Sequence, residues 1–167
     1  MNQNQAQIEW RNQQPYSQQY EDVYFSTDDG LAETDYVFLQ HNQLAGRWKA
    51  LKDEDFTIAE TGFGTGLNFL CAWQLWRQHA PKAARLHFVS TEKFPLSKAD
   101  LAKALAIWPK LKPLSKALLV QYQNIREGFH RLSFDDGQVT LTLLIGDANQ
   151  TLPQSNAQVD AWFLDGF

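Results

Sequence analysis

The chain has 167 residues, 44% of them hydrophobic and 13% aromatic, enough for one domain that buries roughly two-thirds of its unfolded surface. A single cysteine, Cys71, excludes an internal disulfide framework, and no apolar run suits a signal core or a membrane span, so the simplest reading is a cytoplasmic protein with no membrane partner. The net charge of −4 is uneven: residues 1–60 carry 11 acids and 4 bases, whereas residues 77–116 carry 9 bases and 2 acids, a pattern that fits a phosphate-facing surface or a pair of solvated helices.

In chain order, residues 1–20 hold ten Asn or Gln and little apolar patterning, which predicts a mobile segment. Val23-Tyr24-Phe25 and Tyr36-Val37-Phe38-Leu39 read as short strands joined through the turn Ser26-Thr27-Asp28-Asp29-Gly30, an N-terminal hairpin extension. Leu44 to Leu51 suits a short helix. A βα alternation follows. Strand Phe56–Thr61 leads to a helix over Leu67–His79 with Phe69, Trp73 and Trp76 on one face. Strand Leu86–Thr91 leads to a helix over Ser97–Trp108, which Pro109 and Pro113 break, with another turn or two over Ser115–Tyr122. The turn Asp135-Asp136-Gly137 precedes strand Val139–Ile145, and Val159–Leu164 is a fourth core strand. This alternation predicts an α/β fold built on a Rossmann-like parallel sheet, with residues 1–55 as an extension and residues 56–167 as the first part of the sheet domain. A strand that ends in Asp165-Gly166-Phe167 predicts that a loop and further strands follow.

The strand-to-helix turn Glu60-Thr61-Gly62-Phe63-Gly64-Thr65-Gly66 concentrates the chemistry. Three alternating glycines clear the backbone for a nucleotide-like ligand, at a cost in backbone entropy that an idle turn does not explain. The dinucleotide fingerprint G-x-G-x-x-G fails in both registers, because its third glycine falls on Leu67 or Phe69. The G-x-G-x-G present, with Glu60 two residues upstream, resembles the first motif of class I S-adenosylmethionine-dependent methyltransferases.

Four acids end the four predicted core strands: Glu60, Glu92, Asp147 and Asp165. In a parallel sheet these ends share the ligand-binding edge. A cationic sulfonium cofactor with a ribose diol and an adenine amine gives each a task. Gly62, Gly64 and Gly66, with Phe63 and Thr65 between them, bring backbone amides to the ligand. The helix start at Leu67 and Asn68 offers unpaired N–H groups to a carboxylate. Glu60 would hold the loop through backbone N–H groups or lie near the methionyl end. Glu92, beside Lys93, can accept from two ribose hydroxyls. Asp147 is placed for the adenine amine or, more plainly, as a helix N-cap. Asp165 faces the methyl group and is the candidate catalytic residue. Asp160 is the candidate structural acid. His41, His79, His87 and His130 lack ligand spacing, so no metal is expected, and His87 reads as a packed strand residue. Cys71 reads as a small core residue rather than a nucleophile.

Longer runs narrow the resemblance. Asp22-Val23-Tyr24-Phe25-Ser26, Tyr36-Val37-Phe38-Leu39, the glycine turn with Leu67-Asn68-Phe69-Leu70, Glu92-Lys93-Phe94-Pro95-Leu96 and Asp160-Ala161-Trp162-Phe163-Leu164-Asp165-Gly166-Phe167 resemble the N-terminal segment of the MnmC family, bacterial tRNA 5-methylaminomethyl-2-thiouridine synthesis proteins. The resemblance implies S-adenosyl-L-methionine as cofactor, and methylation of the aminomethyl group on the wobble uridine of tRNA. It also implies that a full-length parent carries an FAD-dependent oxidase domain that makes that amine. A monomer is expected. The competing readings are an NAD- or FAD-binding oxidoreductase and a non-catalytic tRNA-binding module.

Overall fold

The computed structural model describes residues 5–12, 14–26 and 29–166. Ile8-Glu9-Trp10-Arg11 alternates apolar and polar side chains and forms strand β1 (Ile8–Arg11), antiparallel to β2 (Gln14–Ser17). The short β3 (Asp22–Val23) adds to β2. An N-terminal hairpin therefore exists, but upstream of the predicted one. The prediction of a mobile segment over residues 1–20 is corrected for residues 5–12 and 14–20: Ile8 and Trp10 rest on the core, and Lys103 Nζ lies 3.9 Å from the Trp10 ring centre. Residues 1–4 and 13 lie outside the described residues, as do Thr27 and Asp28 of the predicted turn.

The predicted strand Tyr36–Leu39 is also corrected. Helix α1 (Gly30–Thr34) runs through Asp35 into a π-helix over Asp35–Gln40. Phe38 and Leu39 are both buried while Tyr36 and Val37 are exposed, a helical face and not the alternation of a strand. Helix α2 (Leu44–Lys49) then buries Leu44 and Trp48 completely.

The main sheet has five strands in the spatial order β6-β7-β5-β4-β8. Four are parallel: β4 (Asp55–Thr61), β5 (Arg85–Glu92), β7 (Val139–Ile145) and β8 (Ala161–Leu164). Strand β6 (Gly128–Phe134), which the sequence pattern did not indicate, runs antiparallel to β7 and joins it through Asp135-Asp136-Gly137. Helix α3 (Leu67–His79) crosses from β4 to β5 and has the predicted bounds. Helix α4 (Lys98–Leu105) starts at Ser97, whose Oγ accepts from Asp100 N at 3.1 Å, an N-cap. Pro109 opens a 3-10 turn, and Pro113 sits in the first turn of α5 (Lys112–Gln121), so the second proline begins a helix instead of only breaking one. The four-residue α6 (Ala148–Thr151) follows β7.

Phe69, Phe88 and Phe163 are fully buried, and Trp73, with 1% exposure, packs against Phe134, which joins α3 to the β6–β7 hairpin. Asp160 is the structural acid, as read: its Oδ2 accepts from Thr57 N and its backbone N donates to Thr57 O, which pins the start of β8 beside β4. His87 bridges Thr140 Oγ1 at 2.8 Å and Asp55 Oδ2 at 3.1 Å. Cys71 is buried, as a small core residue, and burial pushes its thiol up to about 12, away from the reactive thiolate form.

Candidate active site

Successive parallel strands leave β4 toward β5 and β7 on one side, and β8 returns on the other. The crevice between the carboxyl ends of β4 and β8 is therefore the topological switch point, where α/β sheets bind ligands. Two glycines let the chains pass there. A Cβ on Gly62 would lie 2.8 Å from Gly166 Cα, and Gly62 has φ +83°. Gly66 has φ +72°, and a Cβ on it would lie 2.7 Å from the Phe63 ring; Gly64, at φ +52°, faces the Tyr24 ring at 3.3 Å. The glycines thus answer packing and backbone needs of the turn as well as any ligand.

A cavity of about 750 Å³ opens at this point. Gly62, Phe63, Gly64, Thr65, Asn68, Glu92, Lys93, Asp147 and Asp165 line it, together with Leu67 at the start of α3. Gly66 is the N-cap of α3, with no side chain bonded into the first turn, so that helix end is left to accept a carboxylate. Among the described residues no group of three or more His, Cys, Asp or Glu side chains is placed to hold a metal.

Of the eleven expected site residues, Gly66 and Glu60 do not line the cavity, and Glu60 lies beneath it. Glu60 has 1% exposure. Its partners are side chains and not the loop's backbone N–H groups: Ser90 Oγ donates to Oε2 at 2.6 Å and Asn68 Nδ2 donates to Oε1 at 3.0 Å. Burial pushes its carboxyl up to about 8, against the lowering effect of those two donors, and the nearby Asp165 and Glu92 charges add to the rise. The loop-holding acid is Glu92. Its Oε2 accepts from Gly64 N at 2.9 Å and its Oε1 from Phe94 N at 2.8 Å. Burial raises the Glu92 carboxyl, while backbone donors from Gly64, Phe94 and Lys93 oppose the rise.

Asp147 both lines the cavity and caps a helix. It N-caps α6 by accepting from Asn149 N at 3.0 Å, and Lys93 Nζ donates to it at 2.9 Å; that lysine first of all holds the acid below its usual range. Asp165 lies at the exposed end of β8, and Asn68 Nδ2 donates to its Oδ2 at 2.7 Å. Burial raises Asp165, Asn68 opposes that, and the Glu33 charge adds to it.

The sequence reading missed the roof of the cavity. Tyr20, Tyr24 and Ser26 from the N-terminal segment, and Glu33, Thr34 and Phe38 from α1 and the π-helix, all line it. The apolar alternation of β1 and the helical spacing of Gly30–Gln40 were the available signals. Of the nine bases in residues 77–116, three have intramolecular roles: Arg77 bonds to Asp135, Lys93 to Asp147, and Lys103 lies over Trp10.

A family model described as S-adenosyl-L-methionine-dependent methyltransferase matches residues 109–167, the part that carries Asp147 and Asp165. Proteins named tRNA 5-methylaminomethyl-2-thiouridine biosynthesis bifunctional protein MnmC match almost throughout. The one from Methylobacillus flagellatus is 61% identical over 98% of this chain, and those from Pseudomonas fluorescens and Chromobacterium violaceum are 60% identical over 97%. This chain is similar to the N-terminal quarter of MnmC. The resemblance read from the motifs holds, and the chain spans about a quarter of the length, 25%, of those curated relatives. A crystal structure of MNMC2 from Aquifex aeolicus superimposes with a TM-score of 0.70 over 99% of this chain and 51% of its own, at 21% identity, so the two share a fold.

Proposed function

We propose that this chain binds S-adenosyl-L-methionine, and that the protein carrying it methylates the 5-aminomethyl amine of the wobble uridine of tRNA. The observation that carries the reading is the convergence of the glycine turn, Glu92 and Asp165 on one cavity at the β4/β8 switch point. The donor set fits the cofactor. The two Glu92 oxygens have about four lone-pair sites against the backbone donors of Gly64, Phe94 and Lys93, which leaves acceptor capacity toward a ribose hydroxyl. The uncapped start of α3 suits the methionyl carboxylate.

When bound, the cofactor supplies an electrophilic methyl group. The residues of this chain do the rest. Asp165 holds the amine by accepting one of its N–H groups and stabilises the positive charge that forms on nitrogen. Tyr24 and Phe38 roof the cavity and limit water. Exposed lysines on α4, the 3-10 turn and α5 (Lys98, Lys110, Lys112 and Lys116) supply a phosphate-facing surface. FAD belongs to the oxidase domain that the family resemblance implies for a longer parent, which works in the cytoplasm.

Isothermal calorimetry on the longest natural chain that contains residues 1–167 tests the reading. S-adenosylhomocysteine is expected to bind, Gly64→Val to abolish binding by clashing with Tyr24, and NAD and FAD to give no competing signal at this site. Binding of NAD alone would support an oxidoreductase instead.

A further inference from the structure

The helix start offers the backbone N–H of Asn68 to the cofactor, while the Asn68 side chain has other work. It has 7% exposure, and both its amide nitrogen and its amide oxygen are engaged by other side chains. Nδ2 donates to Asp165 Oδ2 at 2.7 Å and to Glu60 Oε1 at 3.0 Å, while Thr34 Oγ1 donates to Oδ1 at 2.8 Å. An amide has two donors and one acceptor group to place, and here all are placed.

We infer that Asn68 is a positioning residue, locked by Thr34, that aims the Asp165 carboxylate at the reacting amine. Three elements and the end of a fourth meet in it: α1 through Thr34, β4 through Glu60, α3 through Asn68 itself, and Asp165 just after β8. The two carboxyl groups decide which way the amide faces, and the Thr34 hydroxyl, which can donate or accept, closes the oxygen side. With the amide reversed, its carbonyl oxygen would face two carboxyl groups and the two N–H donors would face one hydroxyl. Asp165 lies past the last residue of β8 and has no ladder partner of its own to fix its side chain. The Asn68 bond supplies that restraint. Glu60, held by Ser90 from β5, anchors the other donor in the core, so the aim of Asp165 is referred to the rigid sheet and not to the loop.

The inference rests on the proposed methyl transfer, and its test keeps the two apart. Methylation of tRNA bearing 5-aminomethyluridine is followed in the longest natural chain containing residues 1–167, alongside calorimetric binding of S-adenosylhomocysteine. Asn68→Ala is expected to lower kcat about 100-fold through misplacement of the reacting group, with the dissociation constant for S-adenosylhomocysteine changed less than about threefold. Thr34→Val, which keeps the volume, is expected to lower kcat about tenfold in the same direction. The acid limb of kcat/KM is expected to move to higher pH in Asn68→Ala, because the donor that favours ionised Asp165 is gone while Glu33 from α1 and Glu60 from β4 still face it. Loss of S-adenosylhomocysteine binding at unchanged kcat would return Asn68 to cofactor binding and overturn the inference. Unchanged kcat and an unmoved pH limb in both variants would overturn it as well. A wild-type protein that neither binds S-adenosylhomocysteine nor methylates would instead refute the proposed function.

Discussion

Gly62 shows how a single residue can serve fold and site together. Its positive φ and the 2.8 Å approach to Gly166 leave no room for a Cβ between two backbones that cannot swing aside. Gly62→Ala is predicted to destabilise the protein by about 1–3 kcal/mol in urea titration and to weaken S-adenosylhomocysteine binding as the β4 and β8 loops part. Gly46, inside α2, is the contrast. A Cβ there meets nothing within 4 Å, so Gly46→Ala is predicted to stabilise by about 0.5–1 kcal/mol in the same assay. Glu60 makes a prediction about pH. Its carboxyl is raised from 4.5 in the unfolded chain to about 8 in the fold, so between those values the folded state binds the extra proton. Its contribution to stability is therefore fully present below about pH 4.5 and is lost as pH rises through about 8. Thermal melts from pH 5 to 9 should show wild-type stability falling relative to Glu60→Gln; parallel curves would contradict an elevated Glu60.

The elements explain why the sequence was partly legible. Strands β4, β5 and β7 read well because each gathers β-branched, aromatic and aliphatic residues between turn signals, and β7 is buried over almost its whole length. Strand β6 was missed because Gly128-Phe129-His130-Arg131 exposes Phe129 and carries polar groups, so only Leu132 and Phe134 face the core. Tyr36–Leu39 was misread because four apolar residues in a row carry no period, and only the preceding Gly30–Thr34 turn decides for helix. The β6–β7 hairpin is tied to α3 through Asp135, which accepts from Trp73 Nε1 at 2.6 Å and bonds to Arg77; the guanidinium comes first among the groups that hold this carboxyl below its usual range. Asp135→Ala is predicted to cost about 1–3 kcal/mol by leaving the indole N–H without its acceptor, with a shift in Trp73 fluorescence. Asp135→Asn, which keeps an acceptor and tolerates the φ of 50°, should cost less.

In the whole molecule, the site was legible as a set of strand ends but not as a division of labour. The glycine turn, Glu92, Asp147 and Asp165 do meet at one cavity, because parallel strands deliver their carboxyl ends to a single edge. What spacing could not tell is which acid faces the cavity and which lies beneath it. Glu60 and Asn68 are separated from their partners by up to 97 residues, and only tertiary packing joins them. The N-terminal roof was hidden for the same reason: Tyr24 reaches the cavity through a fold-back that Asn- and Gln-rich composition does not announce. The most direct test of methyl transfer at this site is mass analysis of nucleosides from tRNA bearing 5-aminomethyluridine, incubated with S-adenosyl-L-methionine and the longest natural chain containing residues 1–167. The wobble nucleoside is expected to gain one methyl group on its side-chain nitrogen, and Asp165→Ala to slow the gain at least about 100-fold. An unmodified nucleoside with the wild-type protein, or full activity in Asp165→Ala, would contradict this expectation.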